Sequence, residues 1–188
     1  MNKEQVLSKA KAFADIIDGK VVDESNRVEI CIKGNVLGFP ATVEAIKAGF
    51  PFSTSFYVET DVLHERGPAD TTFTITVTPK VARGITGFLG RLLLIDAHEI
   101  PTGNNHFDAQ FLAHSDNDDM CKRFVHYPGM TEKITTLQQY TSFRELHIQG
   151  GKGLCLIAPA NFSSFKYDVA RETFSILSSI AQTMSEAF

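Results

Sequence analysis

Thr102-Gly103-Asn104-Asn105-His106-Phe107-Asp108-Ala109-Gln110-Phe111, followed by Ser115-Asp116-Asn117-Asp118-Asp119, decides how the C-terminal half of the chain is built. Glycine and the two asparagines supply turn chemistry, because both residue types accept the backbone geometries a tight turn needs. Beyond the turn, Phe107, Ala109, Phe111 and Ala113 alternate with His106, Asp108, Gln110 and His114. That period of two predicts a strand with one apolar and one polar face. Ser115 and Asp118 have the spacing of a capping box, and the three aspartates suit the positive end of a helix dipole. The stretch reads as turn, strand and capped helix start.

Downstream, Pro128-Gly129 interrupts the helix, and Thr131 is placed to cap a second one through Ile134 and Leu137. Leu146 and Ile148, Gly150-Gly151, then Leu154 and Leu156 predict a β-hairpin with a two-glycine turn. The chain closes on its strongest periodic signal: Ala170, Phe174, Leu177, Ala181, Met184 and Phe188 recur every three or four residues. Such a stripe predicts a long amphipathic helix.

Upstream, Val6, Ala10, Phe13 and Ile17 fall on one side of a first helix, which Asn2 can cap and Gly19 can end. From residue 20 the period becomes two. Val28, Ile30 and Ile32 form one strand, and Lys33-Gly34-Asn35 supplies turn residues. Leu37 to Val43 predicts a second strand, with Pro40 at an edge or bulge. Phe52, Thr54, Phe56 and Val58 predict a third. Phe73 to Thr78 alternates apolar residues with threonines, as expected of an antiparallel sheet covered on one face. Between Pro79 and Ile100 the glycines at 84, 87 and 90 break the pattern, with Phe88-Leu89 and Leu92-Leu93 suggesting a short helix. His64 to Asp70 reads as a long hairpin tip. Strands outnumber the βαβ crossovers a parallel sheet would need. The expected architecture is therefore one α+β domain over 1–188: an antiparallel sheet packed on one face by helices, with a long C-terminal amphipathic helix.

Size and charge narrow the function. A chain of 188 residues buries roughly 70% of its unfolded surface, enough to stand without disulfide or metal. The net charge of −4, with both signs scattered, argues against a nucleic-acid binder, which needs a basic stripe against phosphates. Cys31, Cys121 and Cys155 are odd in number and form no C-x-x-C, so they read as reduced packing thiols. Met1-Asn2-Lys3-Glu4-Gln5 lacks a signal-peptide core, and no apolar run approaches the ~20 residues of a membrane span. The expected location is cytoplasmic, with no membrane span.

Known catalytic signatures are missing. The phosphate-loop, dinucleotide, metalloprotease and nucleophile-elbow patterns do not occur. Ser8 to Lys11 and Ser163 to Lys166 match S-x-x-K, and Ser115-Asp116-Asn117 matches S-D-N, but the K-T-G element that would complete a penicillin-binding enzyme is absent. The acidic run at 116–119 lacks the glycine and glutamate of a calcium loop. A histidine-carboxylate group remains: His98, His106, Asp108 and His114. If 106 and 108 project from one strand face, they could share a metal ion with His114. The same residues equally suit a solvated sheet face. On the other strands, the threonines Thr74 and Thr76 with Phe52, Phe56 and Tyr57 form a candidate ligand-binding set, should the sheet curl around the terminal helix.

Thr102, Gly103, Phe107, Asp108, Phe111, Ser115 and Asp116 together resemble a T-G-x-x-x-F-D-x-x-F pattern of uncharacterised bacterial domains of unknown function, over roughly the last 87 residues. The resemblance implies an antiparallel α+β domain of bacterial source and no activity. Asp108 is expected to accept backbone N–H groups of the preceding turn. The first expectation of function is a non-enzymatic binding or protein-interaction module, with no cofactor, meeting an unknown protein partner or small molecule and capable of homo-oligomerising through a sheet edge or helix face. The alternatives are a carrier of small apolar ligands, with a pocket between sheet and terminal helix, and a metal-dependent hydrolase built on His98, His106, Asp108 and His114.

Overall fold

The computed structural model describes residues 3–22, 28–46, 53–60, 73–80, 99–150 and 152–187. Within them the period-two segments form strands β1 (Lys20–Val22), β2 (Val28–Val36), β3 (Phe39–Ile46), β4 (Thr54–Val58), β5 (Thr74–Pro79), β6 (Phe111–Ser115), β7 (Glu145–Gln149) and β8 (Gly153–Ala158). They make one sheet of order β1-β2-β3-β4-β8-β7-β5-β6 in which every pairing is antiparallel. The helices are α1 (Lys3–Ile16), α2 (Asn105–Gln110), α3 (Asp118–His126), α4 (Met130–Thr141) and α5 (Tyr167–Ala187). The fold is α+β, with helices packed on one face of the sheet.

Register explains that asymmetry. Val21, Ile32, Val43, Phe56, Leu156, Leu146, Val77 and Ala113 are successive cross-strand partners, forming one apolar row across all eight strands. From Ile32 onward each is at most 1% exposed. Ala170, Phe174, Leu177, Ala181 and Met184 of α5 are all 0% exposed and supply the matching helical stripe. Phe56 meets Phe165 and Phe174 edge-on, with centroids 5.2 and 5.5 Å apart. Burying one such ring stabilises the fold by roughly 1.5–3 kcal/mol. Phe188 of the predicted stripe lies outside the described residues, as does the 81–98 segment with its suggested short helix and the 64–70 loop.

Several local expectations give way. Pro40 lies in β3, an interior strand, opposite Asn35 and with its carbonyl accepting from Glu59 N–H, so it sits at neither an edge nor a bulge. The left-handed residue after α1 is Asp18, at φ 44°, rather than Gly19. Residues 105–110 are a helix rather than the start of a strand, and β6 begins only at Phe111. Asn104 caps that helix: its side-chain oxygen accepts from the amides of His106 and Phe107 at 3.1 Å each. Phe107 and Phe111, four apart, then bring their rings to 5.2 Å. The four-residue spacing of the two rings and an Asx cap overrule the apparent alternation. The next helix is capped by Asn117, which accepts from Met120 N–H at 3.0 Å, while Ser115 Oγ closes a turn with Asn117 instead. At α4 the cap position is Gly129 at φ 79°, and Thr131 lies inside the helix, donating to the Val125 carbonyl at 3.3 Å.

Lys33-Gly34-Asn35 is strand, and the chain reverses at Leu37 and Gly38, both in the left-handed region at φ 51° and 89°. Gly34 serves a close crossing instead. A Cβ there would stand 2.7 Å from Gly19 Cα and collide with the Ile17 carbonyl, which accepts from Asn35 N–H. The end of α1 is thereby pinned directly onto β2.

Candidate functional site

One residue along each strand from the apolar row runs a second row on the opposite face. It consists of Lys20, Lys33, Thr42, Tyr57, Cys155, His147, Thr76 and His114, again successive cross-strand partners. Beside it run Cys31, Glu44, Ser55, Ile157 and Glu145. Side chains alternate strictly along a strand, so the register that buries the first row presents this one together.

At its centre the polar groups are wired to one another. Thr76 Oγ1 lies 3.1 Å from His147 Nδ1, and His147 Nε2 lies 2.9 Å from Glu145 Oε2. A carboxylate only accepts, so Nε2 carries the proton and, in the neutral ring, Nδ1 accepts from the threonine hydroxyl. Arg144 Nε stands 3.2 Å from Glu145 Oε1, close enough to pair by charge though not aligned as a hydrogen bond. The hydrogen bond from His147 is the main reason the Glu145 carboxyl sits below the usual carboxylate range; burial opposes it and Arg144 assists. Two residues on, Thr78 Oγ1 is buried without a hydrogen-bond partner.

The face is also partly desolvated. Thr42, Ser55 and Thr76 are only 8%, 6% and 8% exposed. Burial pushes the Cys155 thiol up to about 11, with the charges of Glu44 and Glu145 adding to it and a hydrogen bond with Tyr57 opposing. The Tyr57 phenol is raised as well, by burial first and then by Cys155 and Glu44. Both groups stay neutral at physiological pH and act as hydrogen-bonding groups rather than nucleophiles, because the reactive form of a thiol is the thiolate.

The candidate ligand-binding residues therefore separate. Tyr57, Thr74 and Thr76 belong to the second face, while Phe56, one residue from Tyr57, is in the core with 0% exposure. Phe56 thus lines no ligand surface, and the seam between β4 and α5 is filled by its contacts with Phe165 and Phe174. Phe52 lies outside the described residues.

The candidate metal residues separate too. Asp108, on α2, is spent on the turn before it, accepting from Thr102 N–H (3.3 Å), Thr102 Oγ1 (2.7 Å) and Gly103 N–H (3.1 Å). Its backbone carbonyl accepts from Lys80 Nζ. His106, an exposed residue of the same helix, has its Nε2 3.1 Å from Gln110 Nε2. His114 is on β6, in the second row. The strand that was to hold 106 and 108 on one face is a helix, so that geometry is lost; His98 is outside the described residues. Among the described residues no three His, Cys, Asp or Glu side chains gather to hold a metal ion. His106 instead borders an open cleft of about 260 Å³ with Asn104, His126, Tyr127, Gly129 and Glu132. His126 is tied there to the Thr102 carbonyl at 2.9 Å.

The three cysteines are free thiols, Cys31 and Cys121 buried, with burial pushing Cys121 up to about 12. Among the described residues no helix is long and apolar enough to cross a membrane. No family model matches the chain, and no curated protein or solved structure matches it either.

Proposed function

We propose that the chain is a non-enzymatic binding module of the cytoplasm that meets its protein partner or small-molecule ligand with the second face of the sheet. The observation that carries this reading is the wired, partly desolvated polar row Tyr57–Cys155–His147–Thr76, backed by Glu145 and Arg144. Ordered polar groups with fixed partners recognise a ligand at low entropic cost, since their rotamers are already chosen. Preference for recognition over chemistry follows from protonation: the thiol and phenol are held neutral. Thr76, whose hydroxyl could serve His147 as a nucleophile, is only 8% exposed as a residue, leaving little approach for a substrate carbonyl.

Native mass spectrometry of the purified protein, compared with the denatured sample and with Thr76→Ala/His147→Ala, tests the reading. It expects a bound mass or a subunit multiple that is diminished in the double variant while the fold persists. An adduct held equally by the double variant would overturn it. So would turnover of a nitrophenyl ester that Thr76→Ala abolishes, which would make the same line of groups a hydrolytic relay.

A further inference from the structure

Among the described residues of the second face, Glu44 is a charged side chain whose chemistry is left unspent. In register it is opposite Ser55 and diagonal to Tyr57, at the β3–β4 pair in the interior of the sheet. Cross-strand diagonals of this kind are within reach of long and aromatic side chains. Glu44 is partly buried, yet among the described residues it forms no ion pair and no hydrogen bond. The contrast with Glu145 is direct: both of its oxygens are occupied, by His147 and Arg144. A carboxylate held where solvent is partly excluded, without a cation, is an unmet electrostatic demand.

The surroundings say what would meet it. Tyr57 offers a partly exposed ring diagonal to the carboxylate, and aromatic faces attract cations, above all the flat guanidinium. The neutral hydroxyls of Ser55 and Tyr57 and the Cys155 sulfur add acceptor lone pairs and no competing positive charge. The field is felt locally: Glu44 opposes ionisation of both Tyr57 and Cys155. We infer that Glu44 and Tyr57 form a guanidinium-binding subsite, with the carboxylate as counter-ion and the ring as stacking plane, fitting an arginine side chain of the bound partner. This assignment rests on the second face being the binding surface and adds the chemical class of what is bound.

The test is a titration of the isotope-labelled full chain with L-argininamide and with the capped tripeptide acetyl-Gly-Arg-Gly-amide, followed by nuclear magnetic resonance. Norvalinamide, which keeps the aliphatic stem and the α-ammonium but lacks the guanidinium, serves as control. The expected result is weak saturable binding, roughly millimolar for a single group, with shifts centred on the Glu44 carboxyl carbon and the Tyr57 ring. Glu44→Gln preserves size and should weaken binding about tenfold by removing the charge. Tyr57→Phe keeps the ring and should retain most of it. A preference for the tripeptide over argininamide indicates that a protein partner supplies the group; the reverse indicates a free guanidine. The subsite is refuted if norvalinamide shifts the same resonances, or if Glu44→Gln binds as wild type does. If argininamide fails while the bound mass is still lost from Thr76→Ala/His147→Ala, the subsite falls and the binding face stands. If that mass survives the double variant, the binding face falls.

Discussion

The two faces of this sheet are built from the same strands, one residue out of step, and they obey different rules. Ile32, Val43, Phe56, Leu156, Leu146, Val77 and Ala113 are buried to completion against helices. Their neighbours Lys33, Thr42, Tyr57, Cys155, His147, Thr76 and His114 form a polar row. On the first face energy comes from area removed from water, which is indifferent to direction. On the second it comes from directed hydrogen bonds whose net contribution is small and whose loss leaves unmet partners. The first face is an instrument of folding, and the second is the one we propose for binding.

Substitutions can break this contrast. Phe56→Ala should cost about 3–5 kcal/mol, since the rings of Phe165 and Phe174 cannot both collapse into the cavity it leaves; urea unfolding would measure it. Asp108→Ala, at the rim of the core, leaves two backbone amides and the Thr102 hydroxyl without their acceptor and should cost about 2 kcal/mol by the same assay. On the second face, Thr76→Val keeps the shape and removes one hydrogen bond to His147, for about 1 kcal/mol. A cost on the second face as large as that of Phe56→Ala would mean that both faces serve stability alike.

The smallest effect is one of pH. Glu145 has its carboxyl held down chiefly by the His147 hydrogen bond. A depressed folded-state value contributes stability above the unfolded value, about 4.3 for glutamate, and that contribution is lost as pH falls through the folded value. Glu145→Gln should therefore be less stable than wild type at neutral pH, by under about 1 kcal/mol for a partly exposed, solvent-screened pair. The two unfolding midpoints should converge as pH drops below about 4. A gap that widened on acidification would show that the hydrogen bond does not favour the charged form.

Much of the architecture was legible, because apolar spacing reports burial directly. The α5 stripe from Ala170 to Met184 and the alternation of β5 each had a single consistent period. The error at 105–110 has a clear origin. Phe107, Ala109 and Phe111 satisfy a period of two, while Phe107 and Phe111 alone satisfy a helical one, and Asn104 capping decides between them. Asp108 was legible as a turn acceptor because that role is local in sequence. The second-face site was only half legible. Tyr57 and Thr76 stood out on their strands, but β5 pairs with β7 across more than sixty residues of intervening chain, and β4 pairs with β8. Nothing in local spacing announces that His147 will stand opposite Thr76, or Cys155 opposite Tyr57. Only the apolar partners Leu146 and Ile148 stood out on that strand, and Glu145, His147 and Gln149 share its other face.

The most direct test of a folding face opposed to a binding face is site-specific photocrosslinking in cells. The photoreactive residue p-benzoylphenylalanine replaces Tyr57 on the second face in one protein, and Tyr140 in another. Tyr140 is on α4 and 51% exposed, so reach alone favours it. Our account predicts a discrete covalent adduct from position 57, suppressed by Thr76→Ala/His147→Ala, and none from position 140. Adducts from position 140 alone, or from neither position, would contradict it.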